Sequence, residues 1–206
     1  MGKLMIGIID YGLSNISSIS NAVNKLNYSY QIVTDSKNLN KIDKIILPGV
    51  GSFKKAIANL KKQNLFDSLK DFIMDRKKPF LGICLGMQIL YNHSSEDGGE
   101  VGLGVINGKV KQLMPNKEFK VPNVGWREIK ILKKSVLTNQ FVGKPIFYFV
   151  HKYACYSEEK INTVAQLNYI NEFDCVIEKE NVFATQFHPE KSQKNGLQLL
   201  NNFLKI

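Results

Sequence analysis

Apolar residues in the first half of the chain fall into short runs, separated by stretches with helical spacing. Leu4–Ile9 is the first such run and reads as a buried strand, closed by Asp10-Tyr11-Gly12 as a loop. Ser14–Leu26 follows with Ile16, Ile19, Ala22, Val23 and Leu26 at the spacing of one helix face. Tyr30–Val33 and Lys44–Leu47 read as short strands, the second running into Pro48-Gly49-Val50-Gly51. Ser52 is placed to cap a helix reaching Leu60, because its hydroxyl can accept a free backbone N–H at the helix start. Leu65–Met74 reads as another helix before Pro79, and the next apolar run ends at Ile83. Strands spaced by helices imply right-handed crossovers and a mainly parallel sheet.

The second half changes character. Gly102–Gly104, Lys109–Leu113, Glu128–Leu132, Pro145–Val150, Thr163–Leu167, Cys175–Glu178 and Val182–Thr185 read as short strands between turns. A closing helix runs from about Ser192 to Leu204, with Leu197, Leu200, Phe203 and Leu204 on one face. With no Pro/Gly-rich linker, repeat or low-complexity tract, the expectation is one α/β domain over 1–206. Its central sheet should be mixed, mostly parallel and flanked by helices.

A chain of 206 residues with 44% apolar and 22% charged residues can bury a substantial core, which excludes a disordered protein. Its net charge of +10 raises nucleic acid as a partner. Only Arg76 and Arg127 are arginines, however, and the lysines are scattered, whereas bidentate phosphate or base recognition recruits arginine. The excess is read as a solvated lysine-rich surface, with a face for an acidic partner as the alternative. Cys84, Cys155 and Cys175 form no even disulfide framework, so a reducing, cytoplasmic setting is expected. The opening apolar run is too short for a secretion signal, and no later run has the length of a membrane span. Met1-Gly2 is no myristoylation signal, because position 6 is Ile6. No Cys or His pair has metal-ligand spacing, and no cofactor is expected.

Three features fall at the carboxyl ends of expected strands, where open α/β sheets bind ligands. Gly82-Ile83-Cys84-Leu85-Gly86 has the strand–turn–helix context of a nucleophile elbow, its glycines permitting a tight bend. A cysteine there sits at the positive end of a helix dipole, which favours thiolate. The bland reading is a small buried cysteine. Pro48–Gly51 can offer backbone N–H groups to an oxyanion, or be merely a tight turn. His188-Pro189-Glu190 supplies a base and an orienting acid. Of the other histidines, His93 reads as a surface residue in Asn92-His93-Ser94-Ser95, and His151 as a satisfied core or rim group.

Together Gly82–Gln88, His188-Pro189-Glu190 and the Pro48–Gly51 loop resemble class I glutamine amidotransferases, a family of flavodoxin-like fold. Within the class the likeness, spanning nearly the whole chain, points to the glutaminase branch of imidazole glycerol phosphate synthases. Asp10-Tyr11-Gly12-Leu13-Ser14-Asn15, Pro48-Gly49-Val50-Gly51-Ser52-Phe53, Met87 and His188-Pro189-Glu190-Lys191-Ser192 carry that narrower match. The resemblance implies that Cys84 attacks the glutamine side-chain amide while His188, oriented by Glu190, moves the proton. It implies an oxyanion hole from the Gly49–Gly51 loop, through Val50 or Gly51, and from Leu85. Gln88, Glu96 and the His151-Lys152-Tyr153 segment would hold the glutamine α-groups.

Ammonia would pass to a (β/α)₈-barrel cyclase subunit, across an interface read at Asn15, Asn123, Trp126, Arg127 and Lys191. The family glutaminase stays nearly silent until that partner binds. Lys152 and Arg127 depart from the branch, which usually has serine and asparagine there. These departures keep open a paralogue serving a sugar amidotransferase that makes acetamidino groups on bacterial surface sugars. A stand-alone cysteine hydrolase and a non-catalytic subunit are the remaining alternatives; Gln88 and Glu96, suited to a free zwitterion, speak against the first.

Overall fold

Fourteen strands and five helices order residues 4–206, the part of the chain that this computed structural model describes; the Met1-Gly2 reading lies outside it. The strands begin with β1 (Ile6–Ile9), β2 (Tyr30–Val33), β3 (Lys44–Gly49), β4 (Phe80–Cys84) and β5 (Tyr91–Ser94). They continue with β6 (Glu100–Val101), β7 (Ile106–Gln112), β8 (Asn123–Glu128), β9 (Lys130–Ile131) and β10 (Ile146–His151). The last are β11 (Tyr153–Ser157), β12 (Thr163–Asn168), β13 (Glu172–Lys179) and β14 (Val182–Thr185). The helices are α1 (Ile16–Lys25), α2 (Phe53–Lys62), α3 (Phe66–Met74), α4 (Leu85–Ile89) and α5 (Gln193–Leu204).

The central part of the sheet is parallel, in the order β2-β1-β3-β4-β14. From β14 it continues through antiparallel β13, β11 and β7, then β5 and β6. The α/β class and the mixed sheet are as the hydrophobic pattern implied. Both faces of the parallel part are covered. Helices α2 and α3 bury Phe53, Ile57, Leu60, Leu69 and Phe72 on one side, with Phe80 of β4. On the other side α1 and α5 bury Ile19, Val23, Leu200 and Phe203, with Leu81 and Ile83 of β4. A strand covered on both faces has no polar side, which is why these strands read as unbroken apolar runs.

Local chemistry sets the helix starts. Ser52 Oγ accepts from Lys55 N, as its capping role required. Asn15, read as an interface residue, caps α1 by accepting from Ser18 N at 3.3 Å. The C-terminus of α5 is tied to the sheet by buried Lys44, whose ammonium donates to Leu204 O at 2.7 Å. Asp174, fully buried on β13, accepts from Ser157 N at 2.6 Å, Thr163 Oγ1 at 3.1 Å and Gln166 Nε2 at 3.2 Å. These bonds offset the cost of carrying a carboxylate into the core. Among the described residues no helix is long and apolar enough to cross a membrane.

Three readings are corrected. Leu4 is exposed, and β1 starts only at Ile6. Gly102–Gly104 forms no strand; Gly102 passes so close to the carbonyls of Tyr91 and Ile89 that no side chain fits. The polar stretch around His93 is strand β5, pairing with β7 and with β6, because a short strand with residues facing solvent needs no unbroken apolar run.

Candidate active site

The bend between β4 and α4 sits in the cysteine itself. Cys84 has φ 54° and ψ −105°, a backbone conformation that costs a side-chain-bearing residue about 1–3 kcal/mol. Gly82 and Gly86, expected to supply the bend, are absent from the positive-φ positions. They are needed for close approach instead. A Cβ on Gly82 would lie 2.6 Å from the Gly86 carbonyl oxygen, and one on Gly86 would overlap the carbonyl oxygen of Leu47. Two bare backbones thus let α4 press against β3 and β4, with the cysteine as N-cap at its positive end.

His188 and Glu190 face each other in the turn after β14. His188 Nδ1 is 2.8 Å from Glu190 Oε1, and the two side chains are only 3% and 4% exposed. The loop is pinned to β10: His188 N donates to Tyr148 O at 3.0 Å, while Ser192 Oγ accepts from Tyr148 N and donates to His188 O. Nε2 is buried with no hydrogen-bond partner. Burial by itself would push His188 down. The negative charge of the nearby Cys84 sulfur, with the Glu190 carboxylate bonded to Nδ1 behind, raises it instead to about 10. Thiol, imidazole and carboxylate are brought together on one side of the sheet.

Cys84 opens into a cavity of about 340 Å³. Val50, Gly51, Leu85, Gln88, Glu96 and the Val150–Tyr153 segment line it. Gly49 does not; it is buried where a Cβ would overlap the Tyr11 hydroxyl. Of the oxyanion donors read from sequence, the Val50 N–H is committed to Leu13 O at 2.7 Å. The Gln88 amide donates to Tyr153 O at 3.1 Å and to Gln186 Oε1 at 3.2 Å. Glu96 accepts from Phe53 N at 2.8 Å, and burial raises its carboxyl above the ordinary range. Glu96 and Lys152 thus set opposite charges on one pocket, matching the two α-groups of an amino acid.

His151 is held on both ring nitrogens. Tyr153 O can only accept, so Nδ1–H donates to it at 2.8 Å, and Nε2 accepts from Asn123 Nδ2 at 3.0 Å. Burial, helped by the charge on His188, lowers His151 to about 4 despite the Tyr153 bond. The unfolded chain takes up this proton near 6.5. Between those values it binds more protons than the folded chain, so stability falls as pH drops from about 6.5 to 4. The expected loss is roughly 3 kcal/mol. Urea midpoints measured across that range should show the loss in the wild type and a flatter limb in His151→Gln.

One interface reading is corrected, that of Asn123. Strand alternation turns Asn123 inward, fully buried against His151, and sends Arg127 after it. Arg127 Nε donates to Asn123 Oδ1 at 3.1 Å, and its guanidinium lies over Tyr169 at 5.0 Å. Trp126, 43% exposed, does face outward, edge-on to Tyr148 of β10, with Val124 and Ile146 exposed beside it. Lys191 is exposed in the turn after His188. Pro122 and Val150 of the cavity lining escaped the sequence reading, as did Gln186. Gln186 lies fully buried beneath Cys84, and its only signal was its place two residues before His188.

The model of the class-I glutamine amidotransferase family matches residues 7–206. The HisH 2 subunit of imidazole glycerol phosphate synthase from Methanococcus maripaludis is 43% identical, over 98% of this chain and 99% of the relative. The HisH subunit from Methanocaldococcus jannaschii is 45% identical, over 98% and 100%. The HisH 1 subunit from Campylobacter jejuni strain RM1221 is 43% identical, over 98% and 100%. The crystal structure of a glutamine amidotransferase superposes with TM-score 0.76 over 97% of both chains, at 16% identity. The PurLQS structure from Thermotoga maritima gives 0.76 over 99% of both, at 20% identity. With the family model matched almost end to end and full-length identity above 40%, the chain belongs to the class-I glutamine amidotransferase family, alongside the HisH subunits.

Proposed function

We propose that this chain is the glutaminase subunit of an imidazole glycerol phosphate synthase, a single glutamine amidotransferase domain over 1–206 that hydrolyses L-glutamine to glutamate and ammonia. The observation that carries it is the His188–Glu190 pair, locked at 2.8 Å beside a cysteine that opens into an amino-acid-sized cavity. The Cys84 sulfur adds to the side-chain amide carbon. His188 Nε2 passes the thiol proton to the departing nitrogen, while Glu190 holds the ring by Nδ1. Ammonia leaves, and water activated by the same imidazole cleaves the γ-glutamyl thioester to glutamate and free thiol. The balance closes with thiol, imidazole and water alone. Glu96 with Gln88, and Lys152 with the backbone of His151 and Tyr153, orient the α-groups.

The Leu85 N–H at the start of α4 and an N–H of the Val50–Gly51 loop stabilise the tetrahedral oxyanion. Val50 must first leave Leu13 O, and that rotation is the step a docked partner supplies. The partner is a barrel cyclase subunit that consumes the ammonia while making imidazole glycerol phosphate and aminoimidazole carboxamide ribotide. The exposed Val124, Trp126 and Ile146 face receives it. The names of the relatives support the histidine pathway over the surface-sugar alternative. We place the reaction in the cytoplasm, where the Cys84 thiol stays reduced.

Adding the purified cyclase subunit should raise glutamate release by about two to three orders of magnitude, the worth of one oxyanion donor. Glutamine turnover that is equal with and without the cyclase defeats the assignment.

A further inference from the structure

A side-chain amide can be turned either way in outline, so its donor end is found by following the bonds around it. Tyr153 O accepts only, so the Gln88 atom 3.1 Å from it is Nε2, a donor. That same Nε2 lies 3.2 Å from the Gln186 side chain, which must therefore present Oε1 to it. The Cys155 sulfur, 3.7 Å from the same oxygen, agrees. Burial, and then the Asp174 carboxylate, push the Cys155 thiol well up, so it remains an S–H donor. One end of the Gln186 amide thus meets two donors. Its other end, Nε2, is 3.7 Å from Cys84 Sγ. Gln186 is 0% exposed and its backbone N–H is held by Cys175 O at 3.0 Å. The amide therefore has little room to turn away.

We propose that Gln186 is a catalytic donor to the nucleophile: its Nε2–H bonds the Cys84 sulfur and favours the thiolate over the thiol. The proposal rests on the reading of Cys84 as the nucleophile. His188 alone can move the proton; Gln186 cannot, but it stabilises the charge left on sulfur from the side opposite solvent. The other titratable groups about Cys84 are His188 and Glu190 from the turn after β14, Tyr11 from the loop after β1 and Cys155 from β11. Glu96 and Lys152 lie across the cavity. None of them supplies a neutral donor fixed by two further bonds, as Gln186 does.

The test uses the intact chain and two variants of nearly unchanged volume, Gln186→Met and Gln186→Glu. The rate of Cys84 alkylation by iodoacetamide is followed against pH by mass spectrometry, with Cys155 and Cys175 as buried controls, and folding is checked by thermal melting. In Gln186→Met the rise in rate should move about one pH unit higher, roughly a tenfold loss near neutrality and equivalent to about 1.4 kcal/mol. In Gln186→Glu the ionised carboxylate repels the thiolate, so the rise in rate should move to still higher pH than in Gln186→Met. Glutamine kcat with the cyclase should fall about tenfold, over and above any change in KM that follows from losing the bond to Gln88. A residue that merely fills space would leave the alkylation profile in place, and an unmoved profile in either folded variant overturns the proposal. Labelling of the wild type by a glutamine-analogue chloroketone separates the two claims. If Cys84 is not labelled, the nucleophile reading fails; if it is labelled and the profiles coincide, only the role of Gln186 fails.

Discussion

Cys84→Ala is expected to lower glutamine-dependent turnover by about four to six orders of magnitude, the scale seen when a nucleophile is removed from a unit of this kind. The reason is that no other group can form the acyl intermediate. Among the described residues Cys155 and Cys175 are the remaining thiols, both are fully buried, and burial pushes both well up. Cys84→Ser should be nearly as poor. Its alcohol holds the proton far more tightly than a thiol, and His188 is set in a pocket where a negative sulfur raises it. Synthesis by the cyclase complex fed with ammonium salts should survive both changes, since the substitutions leave the partner's site untouched. The measurement is paired assays on one preparation, with glutamine and with ammonium. Substantial glutamine turnover by Cys84→Ala would remove the basis of the proposed mechanism.

Gly86→Ala should be strongly damaging, despite alanine's better helix propensity. The propensity gain is about 1 kcal/mol. Against it, the new Cβ overlaps the backbone carbonyl oxygen of Leu47, a neighbour that cannot rotate aside as a side chain could. Either α4 lifts from β3 or the end of β3 moves, and β3 carries the Gly49–Gly51 loop. Overpacking against fixed backbone is expected to cost roughly 3 kcal/mol or more. The variant should show a lower urea midpoint at unchanged slope, together with lost glutaminase activity. Gly51→Ala is a useful contrast, because its strain comes from φ 104° and not from crowding. If Gly86→Ala melts with the wild type, the close approach of α4 to β3 is wrong.

Much of the parallel part was legible because strands buried on both faces must be apolar throughout. The runs ending at Ile9, Leu47, Ile83 and Thr185 each became a strand. Edge and hairpin strands were harder. Strand β5, with Tyr91 and Ser94 buried but Asn92 exposed, carries too little apolar signal to stand out from a polar loop. The triad candidates were visible for a related reason: a thiol between two glycines and a His-Pro-Glu step are rare local patterns, each placed at a strand's carboxyl end.

The amino-acid order by itself determined the α/β class, the elbow position of Cys84, the pairing of His188 with Glu190 and the family. Each of these follows from local periodicity or from residues adjacent in the chain. Tertiary structure alone decided which way Asn123 and Arg127 point, that Val50 N–H is bonded to Leu13 O, and that Gln186 lies under the nucleophile. Alternation along β8 says that neighbouring residues face opposite ways, but only its pairing with β10 says which way is inward. Hydrogen bonds joining residues about a hundred positions apart, such as Gln186 to Cys84, leave no periodic trace. They exist only once β14 has taken its place beside β4.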